Sequence, residues 1–204
     1  MEKIKIAVDT IRNTYIALAK GDIKYRVLEK ATDAMLASFE KKLGETLPED
    51  FKLFLKLNDV AMSFDGGYYC LSLGEIVSIW NMMLEHVEEG TFDDGRVERH
   101  IKEDFGNWDG NYLKKVWWST KWIPFAEDGC GNTKCIDLGP GKNGKKGQIM
   151  SMEIQDAQGP FIDPDHHHSF SDYLHTQLGH YTSKRYNLGE SWDGSARIDI
   201  DAYL

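Results

Sequence analysis

No apolar run in this 204-residue chain approaches the ~18 residues a helix needs to span a bilayer, so membrane insertion is not expected. The opening MEKIKIAVDT carries Glu2 and Asp9 and has no apolar core ahead of a small-residue cleavage site, which argues against a secretory signal. Cysteine is scarce. Three of them, an odd number, fit a reducing compartment better than a disulfide framework, and a cytoplasmic protein is the expectation. Basic residues are outnumbered, 24 Lys and Arg against 33 Asp and Glu, for a formal net charge of −9. That field disfavours direct nucleic-acid binding, because neutralising phosphates takes clustered Lys and Arg. It favours a basic protein partner and speeds encounter with it. Internal repeats and low-complexity blocks are absent too, and the length suits one core with decorations.

What the chain does have is a glycine-dense stretch, Trp122 to Met150, holding two of the three cysteines. Gly139, Gly141 and Gly144 satisfy the dinucleotide pattern G-x-G-x-x-G. Gly139, Gly144 and Lys145 satisfy the phosphate loop G-x-x-x-x-G-K-[ST] except at its last position, where Lys146 replaces the hydroxyl. Both patterns work by opening a helix whose free N–H groups meet the phosphates. Here Ile149 and Ser151 alternate with Met150 and Met152, which reads as a strand, as does Thr133–Leu138 before the glycines. The spacing therefore predicts a hairpin with a long mobile loop, and the phosphate cradle is taken as accidental.

Elsewhere the periodicity is mostly helical. Ile4, Ala7, Val8, Ile11, Tyr15 and Leu18 mark a first helix with Gly21 as its stop; Met35, Leu36, Phe39 and Leu43 mark a second ending at Gly44. A third starts at Pro48 and carries Phe51, Phe54, Leu55 and Leu57. Phe64 to Leu71 reads as strand with a turn at Asp65-Gly66-Gly67. Ser72-Leu73-Gly74-Glu75 is a capping box for a helix through Ile79, Trp80, Met83 and Val87 that stops near Gly90. Thr91 to Asn111 is polar and reads as an insertion or long surface excursion. A strand is expected near Gly159–Ile162, and Ser169 starts a last helix running to Gly179. Helices at both ends with hairpin strands between them predict an α+β fold.

The order of these signals resembles the Smi/Knr family of the SUKH superfamily. Leu43-Gly44, Leu47-Pro48-Glu49-Asp50-Phe51 and Phe54-Leu55 with Asn58 resemble its opening helix pair. Leu71–Ile76 with Trp80 is similar to the next element, and Trp122-Ile123-Pro124-Phe125-Ala126-Glu127-Asp128-Gly129-Cys130-Gly131-Asn132 to its most recognisable block. Asp137, Gly147-Gln148-Ile149 and Ser169–Leu174 continue the match. Leu47, Pro48, Phe51, Trp80, Trp122, Pro124, Phe125, Gly129, Gly131 and Asn132 are thus expected as structural residues of the family pattern. The division this implies is an N-terminal helical extension at 1–31, a SUKH-like domain at 32–178 with its insertion near 91–111, and a C-terminal tail at 179–204. Two departures stand out: Asp59 where members commonly carry Gly, and the 91–111 excursion. The resemblance implies an antiparallel sheet packed by helices, without catalytic activity or cofactor. Fungal members look like regulators of cell-wall glucan synthesis; many bacterial ones look like immunity proteins that neutralise a cognate toxin. A scaffold with such varied partners leaves function to the particular surface.

Several residues invite chemistry. His166, His167 and His168, with His175, His180 and the Cys130/Cys135 pair, raise the question of zinc. Only His166 and His168 would share a side of an extended chain, and C-x₄-C is looser than a C-x₂-C knuckle, so no metal is assigned. A thiol nucleophile at Cys130 or Cys135 lacks a histidine singled out by spacing, and lone cysteines usually pack as small apolar groups. Glu127 and Asp128 would point apart on the turn that Asp128-Gly129 signals, so no acid/base pair is assigned. Among Trp117, Trp118 and Trp122 the last is expected in the core; from a strand, one of Trp117 and Trp118 would face out as an interface anchor, whereas an irregular segment would pack both. Glu127, Asp128, Glu153, Asp156, Asp163 and Asp165 gather around the hairpin and the loop after it. Such charges usually form a solvated face; the sharper expectation is an acidic patch that mimics phosphate for a basic toxin domain. A protein-binding immunity domain is the leading expectation. A regulatory scaffold of the cell-wall type and a metal- or nucleotide-binding protein are the alternatives.

Overall fold

The computed structural model describes residues 1–19, 25–102, 111–154, 159–163, 165–190 and 196–200. The helical spacing at the start produces α1 (Glu2–Leu18), whose Ile4, Ala7, Val8, Ile11 and Tyr15 are all buried. α2 (Asp33–Leu43) is capped by Thr32 Oγ1, which accepts from the Met35 N–H. Pro48 stands at the N-cap of α3 (Glu49–Leu57), one residue ahead of its expected place. At α4 (Leu73–Glu88) the capping box is formed both ways: Glu75 N–H donates to Ser72 Oγ at 3.3 Å, and Ser72 N–H to Glu75 Oε2 at 2.7 Å. α5 (Arg96–Lys102) falls inside the polar 91–111 excursion, in which residues 103–110 lie outside the described part. α6 (Phe170–Ser183) starts at Ser169, whose Oγ accepts from Asp172 N–H.

Five strands run antiparallel in chain order: β1 (Tyr69–Cys70), β2 (Trp122–Glu127), β3 (Thr133–Asp137), β4 (Gln148–Glu153) and β5 (Gly159–Phe161). The fold is α+β, as the sequence predicted. Alternation sends Ile136 and Ile149 to a large core shared with the helices, and Cys135, Met150 and Met152 to a smaller core on the other face. A register break between Pro124 and Ala126 places Phe125 and Ala126 together in the large core. It is also where a strand proline is tolerated. Phe51 of α3, Phe125 of β2 and Phe170 of α6 meet edge-to-face, with centroids 4.9 Å apart for Phe51–Phe170 and 5.4 Å for Phe125–Phe170.

Four expectations need correcting. The strand expected over Phe64–Leu71 shrinks to Tyr69–Cys70, because Asp65–Gly67 winds into a 3₁₀ turn. The last helix passes Gly179 to Ser183: Tyr181 is buried and its hydroxyl donates to Ser63 O at 2.6 Å, which outweighs the ~1 kcal/mol helix cost of a glycine. The loop between β3 and β4 is docked rather than mobile. Gly141 N–H donates to Tyr112 O, Asn143 N–H to Asn111 O and Gly147 N–H to Asp137 O, at 2.7–3.0 Å. Beyond α6, β6 (Tyr186–Glu190) and β7 (Ala196–Ile200) form a separate hairpin where the sequence suggested only a polar tail.

Candidate protein-binding surface

The antiparallel register puts the β2–β3 turn and the last residue of β4 at one end of the sheet, and the 138–147 loop at the other. The five residues of β3 separate the ends by roughly 15 Å at ~3.3 Å per residue. The turn is built around Asp128, whose carboxylate accepts from Cys130 N–H (2.8 Å), Asn132 N–H (3.1 Å) and Asn132 Nδ2 (2.8 Å). Gly129 and Gly131 hold φ of +79° and +99°, values that L side chains rarely adopt, so the turn needs glycine on both sides of Cys130. Asn132 Oδ1 then accepts from Ile154 N–H at 2.8 Å, tying the turn to the end of β4.

Next to this turn, Asp163 accepts from Ser151 Oγ and from Lys134 Nζ, each at 2.9 Å. Lys134 is only 7% exposed, and its ammonium also lies over the Tyr68 ring, 5.1 Å from the centroid. Burial drives the Tyr68 hydroxyl well above its ordinary range, and Asp128, Glu153 and Asp163 add to the rise. Asp128 in the turn and Glu153 at the end of β4 thus stand at the same end of the sheet as the Asp163–Lys134 pair. Glu127 is half-buried and its acidity is weakened first by burial, then by Glu75 and Asp128, against the pull of Arg26. Asp165 does not join them: it is exposed beside His166, whose Nε2 reaches Gln148 Oε1 (3.4 Å) at the other end of β4. Asp156 lies outside the described residues.

Lys134, Tyr68 and Arg26 were not singled out from the sequence. The signal for Lys134 was present, since a lysine two residues before Ile136 on a strand shares that residue's inward face and requires a carboxylate partner.

The exposed aromatic anchor is also corrected. Trp117 and Trp118 are 5% and 4% exposed, packed with Trp122, Met150 and Met152 from a segment that is not a strand, so strand alternation does not apply. Arg96 of α5 covers Trp117, its guanidinium carbon 5.2 Å from the ring centroid. Trp118 meets Trp122 edge-on at 5.7 Å.

The glycine loop has a different purpose from phosphate binding. β4 follows it, not a helix. A Cβ at Gly141 would lie 2.3 Å from Asn111 O, and one at Gly144 would lie 2.1 Å from Tyr112 O. The glycines let two backbones touch. Behind them Asp137 is fully buried, accepting from Gly139 N–H (2.9 Å) and Gln148 Nε2 (3.1 Å), and burial pushes its carboxyl up to about 6. The His166 and His168 rings sit 4.5 Å apart, and burial first, then His168 and His167, hold His166 below its usual range. Cys130 is exposed on the turn at the opposite end of the sheet, and Cys135 is buried with its thiol pushed up to about 12 by burial. Among the described residues no group of three His, Cys, Asp or Glu is arranged to hold a metal ion. No helix among them is long and apolar enough to cross a membrane.

The model of the SMI1 / KNR4 family (SUKH-1) matches residues 30–175. The chain belongs to this family. The residues that carry the SMI1/KNR4 pattern hold the fold together: Leu47, Phe51, Trp122 and Phe125 are buried, Trp80 Nε1 donates to Thr120 O at 2.9 Å, Pro48 caps α3, and Pro124 sits at the β2 irregularity. Membership supports a non-catalytic domain. The chain is also similar to a Schizosaccharomyces pombe (strain 972 / ATCC 24843) protein described as "Cell wall biosynthesis/cell cycle regulator smi1", 28% identical over 131 residues, taking in 59% of this chain and 25% of that protein. This SMI1/KNR4 family member thus spans about a quarter of that relative's length.

Proposed function

We propose that this chain acts as a cytoplasmic, non-catalytic protein-binding domain whose acidic sheet end receives a basic partner, and that the partner is a toxin domain it neutralises. The observation that carries the reading is the turn built on the Asp128 carboxylate, which Asn132 ties to the end of β4 so that Asp128 and Glu153 stand at the same end of the sheet. Three donors hold the Asp128 carboxylate in place, so its charge is presented without loss of side-chain freedom on binding. The formal charge of −9 steers a basic partner toward the molecule. With Trp117 and Trp118 buried, the contact is electrostatic in character rather than anchored by an exposed aromatic.

The test is a toxin encoded beside this gene, assayed with the purified chain in stoichiometric excess. Inhibition is expected, and Asp128→Asn with Glu153→Gln should weaken it about tenfold, since Asn keeps an acceptor for the turn while the charge is lost. Undiminished toxin activity in the presence of excess chain would sink this reading. The similarity to a protein described as a cell wall biosynthesis and cell cycle regulator favours a second reading, a regulatory scaffold. There the same acidic end would capture a synthase or kinase, with the same sensitivity to the double substitution.

A further inference from the structure

The far end of the sheet carries the opposite charge. Lys142, Lys145 and Lys146 stand exposed on the 138–147 loop. Lys114, also exposed, and Lys121 approach the same loop: a Cβ at Gly139 would lie 3.0 Å from Lys121 Cβ and 3.7 Å from Lys114 Nζ. Lys121 Nζ and Lys146 Nζ share a single carboxylate, that of Glu45, which they hold below the usual range, Lys146 more than Lys121. Lys121 Nζ also donates to Leu43 O at the C-terminal end of α2, where the helix dipole favours a cation. Glu49, at the start of α3, is already paired with Lys52. On a body of net charge −9, these five lysines outnumber Glu45 and the exposed Asp165 beside His166, and this end is locally positive.

We propose that this lysine-bearing end is a second docking surface, and that it takes a short Asp/Glu-rich polypeptide segment. The loop is preset for it. Gly141 and Gly144 press its backbone onto residues 111–113, and the buried Asp137 holds its base through Gly139 N–H, so the lysines are displayed on a fixed frame. Among the described residues, the cations brought together here, Lys114, Lys121, Lys142, Lys145 and Lys146, are all lysines, point charges without the planar fork of arginine that reads phosphates in pairs. Tyr112, whose carbonyl oxygen accepts from Gly141 N–H, already packs edge-on against His166 at 4.7 Å and offers no open platform for a base. A long polyanion would run onto the acidic remainder of the molecule, whereas a short acidic segment fits between. The proposal is independent of the acidic end, roughly 15 Å away along β3.

The experiment titrates a fluorescein-labelled oligoglutamate peptide with the full chain and follows anisotropy at low and at physiological salt. Saturable, salt-sensitive binding is expected. Lys142→Glu with Lys145→Glu and Lys146→Glu should weaken it about tenfold. Lys3→Glu with Lys5→Glu on α1, and Asp128→Asn with Glu153→Gln, should leave it unchanged, which separates this surface from the acidic one. In the unsubstituted chain, amide shift changes should centre on residues 139–147. Absence of saturable binding, equal binding by the triple variant, or shift changes centred elsewhere would overturn the proposal. Tighter binding of a single-stranded RNA oligonucleotide than of the peptide would overturn the assigned partner class.

Discussion

Asp137 and Asp59 show how two aspartates in one chain respond oppositely to their surroundings. Asp59 sits where the family commonly has glycine, and it accepts ion pairs from Arg12 of α1 and from Lys30; the Arg12 hydrogen bond is the main reason its carboxyl is more acidic than usual. The departure thus has a structural use, clamping the first helix. Asp137 is instead buried, and its folded-state value of about 6 lies above the ordinary 3.8. Between those values the folded chain binds more protons at this site than the unfolded chain does. Its contribution is therefore fully present below about pH 4 and is lost as pH rises through about 6, by on the order of 3 kcal/mol. Urea unfolding of the unsubstituted chain and of Asp137→Asn at pH 4, 5.5 and 7 checks this: the stability difference should move in favour of the variant as pH rises, and a pH-independent difference would refute it. The identity of Asp137 was legible in the sequence, but its protonation was not, since that depends on Trp122 and Gln148 closing over it from other strands.

At the scale of elements, the cues that worked were local and short. The Ser72–Glu75 box is formed as read, and Gly44 closes α2 in the left-handed region. The cues that failed depended on neighbours distant in sequence. Nothing in PGKNGKKG announces that residues 111–113 will lie against it, so its glycines read as flexibility when their use is close approach. Replacing Gly144 by Ala should therefore cost about 2–3 kcal/mol, because the added methyl meets a backbone oxygen that has little room to retreat. The same change at Gly179, where a Cβ would meet nothing within 4 Å in mid-helix, should be neutral or slightly stabilising. Thermal unfolding of the two variants compares them directly; equal melting temperatures would contradict the docked loop. The β6–β7 hairpin carried a faint signal, Ile198 and Ile200 alternating with Arg197 and Asp199, which the polar composition around it obscured.

For the molecule as a whole, the family match begins at residue 30, yet α1 lies before it and packs against α3 and α6 in the large core. Ile4, Val8, Ile11 and Tyr15 each bury a large side chain, worth ~1.5–3 kcal/mol apiece, and their sum is comparable to the ~5–15 kcal/mol by which a domain is stable. Deleting residues 1–19 should leave a chain with no cooperative melting transition; a truncated chain that melts cooperatively near the original temperature would show α1 to be dispensable. Charge is the second property of this scale. Composition states a net −9, but the strand register sorts it into an acidic end around Asp128 and a lysine end around Lys146. Apolar periodicity, caps and the ordered motif blocks were enough to set α1 to α4, α6, the hairpin and the α+β class, because each depends on residues within a turn or two of one another, whereas α5 in the polar 91–111 stretch was not legible. The burial of Trp117 and Trp118, the pairing of Lys134 with Asp163, the docking of the glycine loop and the separation of charge came from packing alone, because each joins residues that meet only when the sheet and helices close on one another.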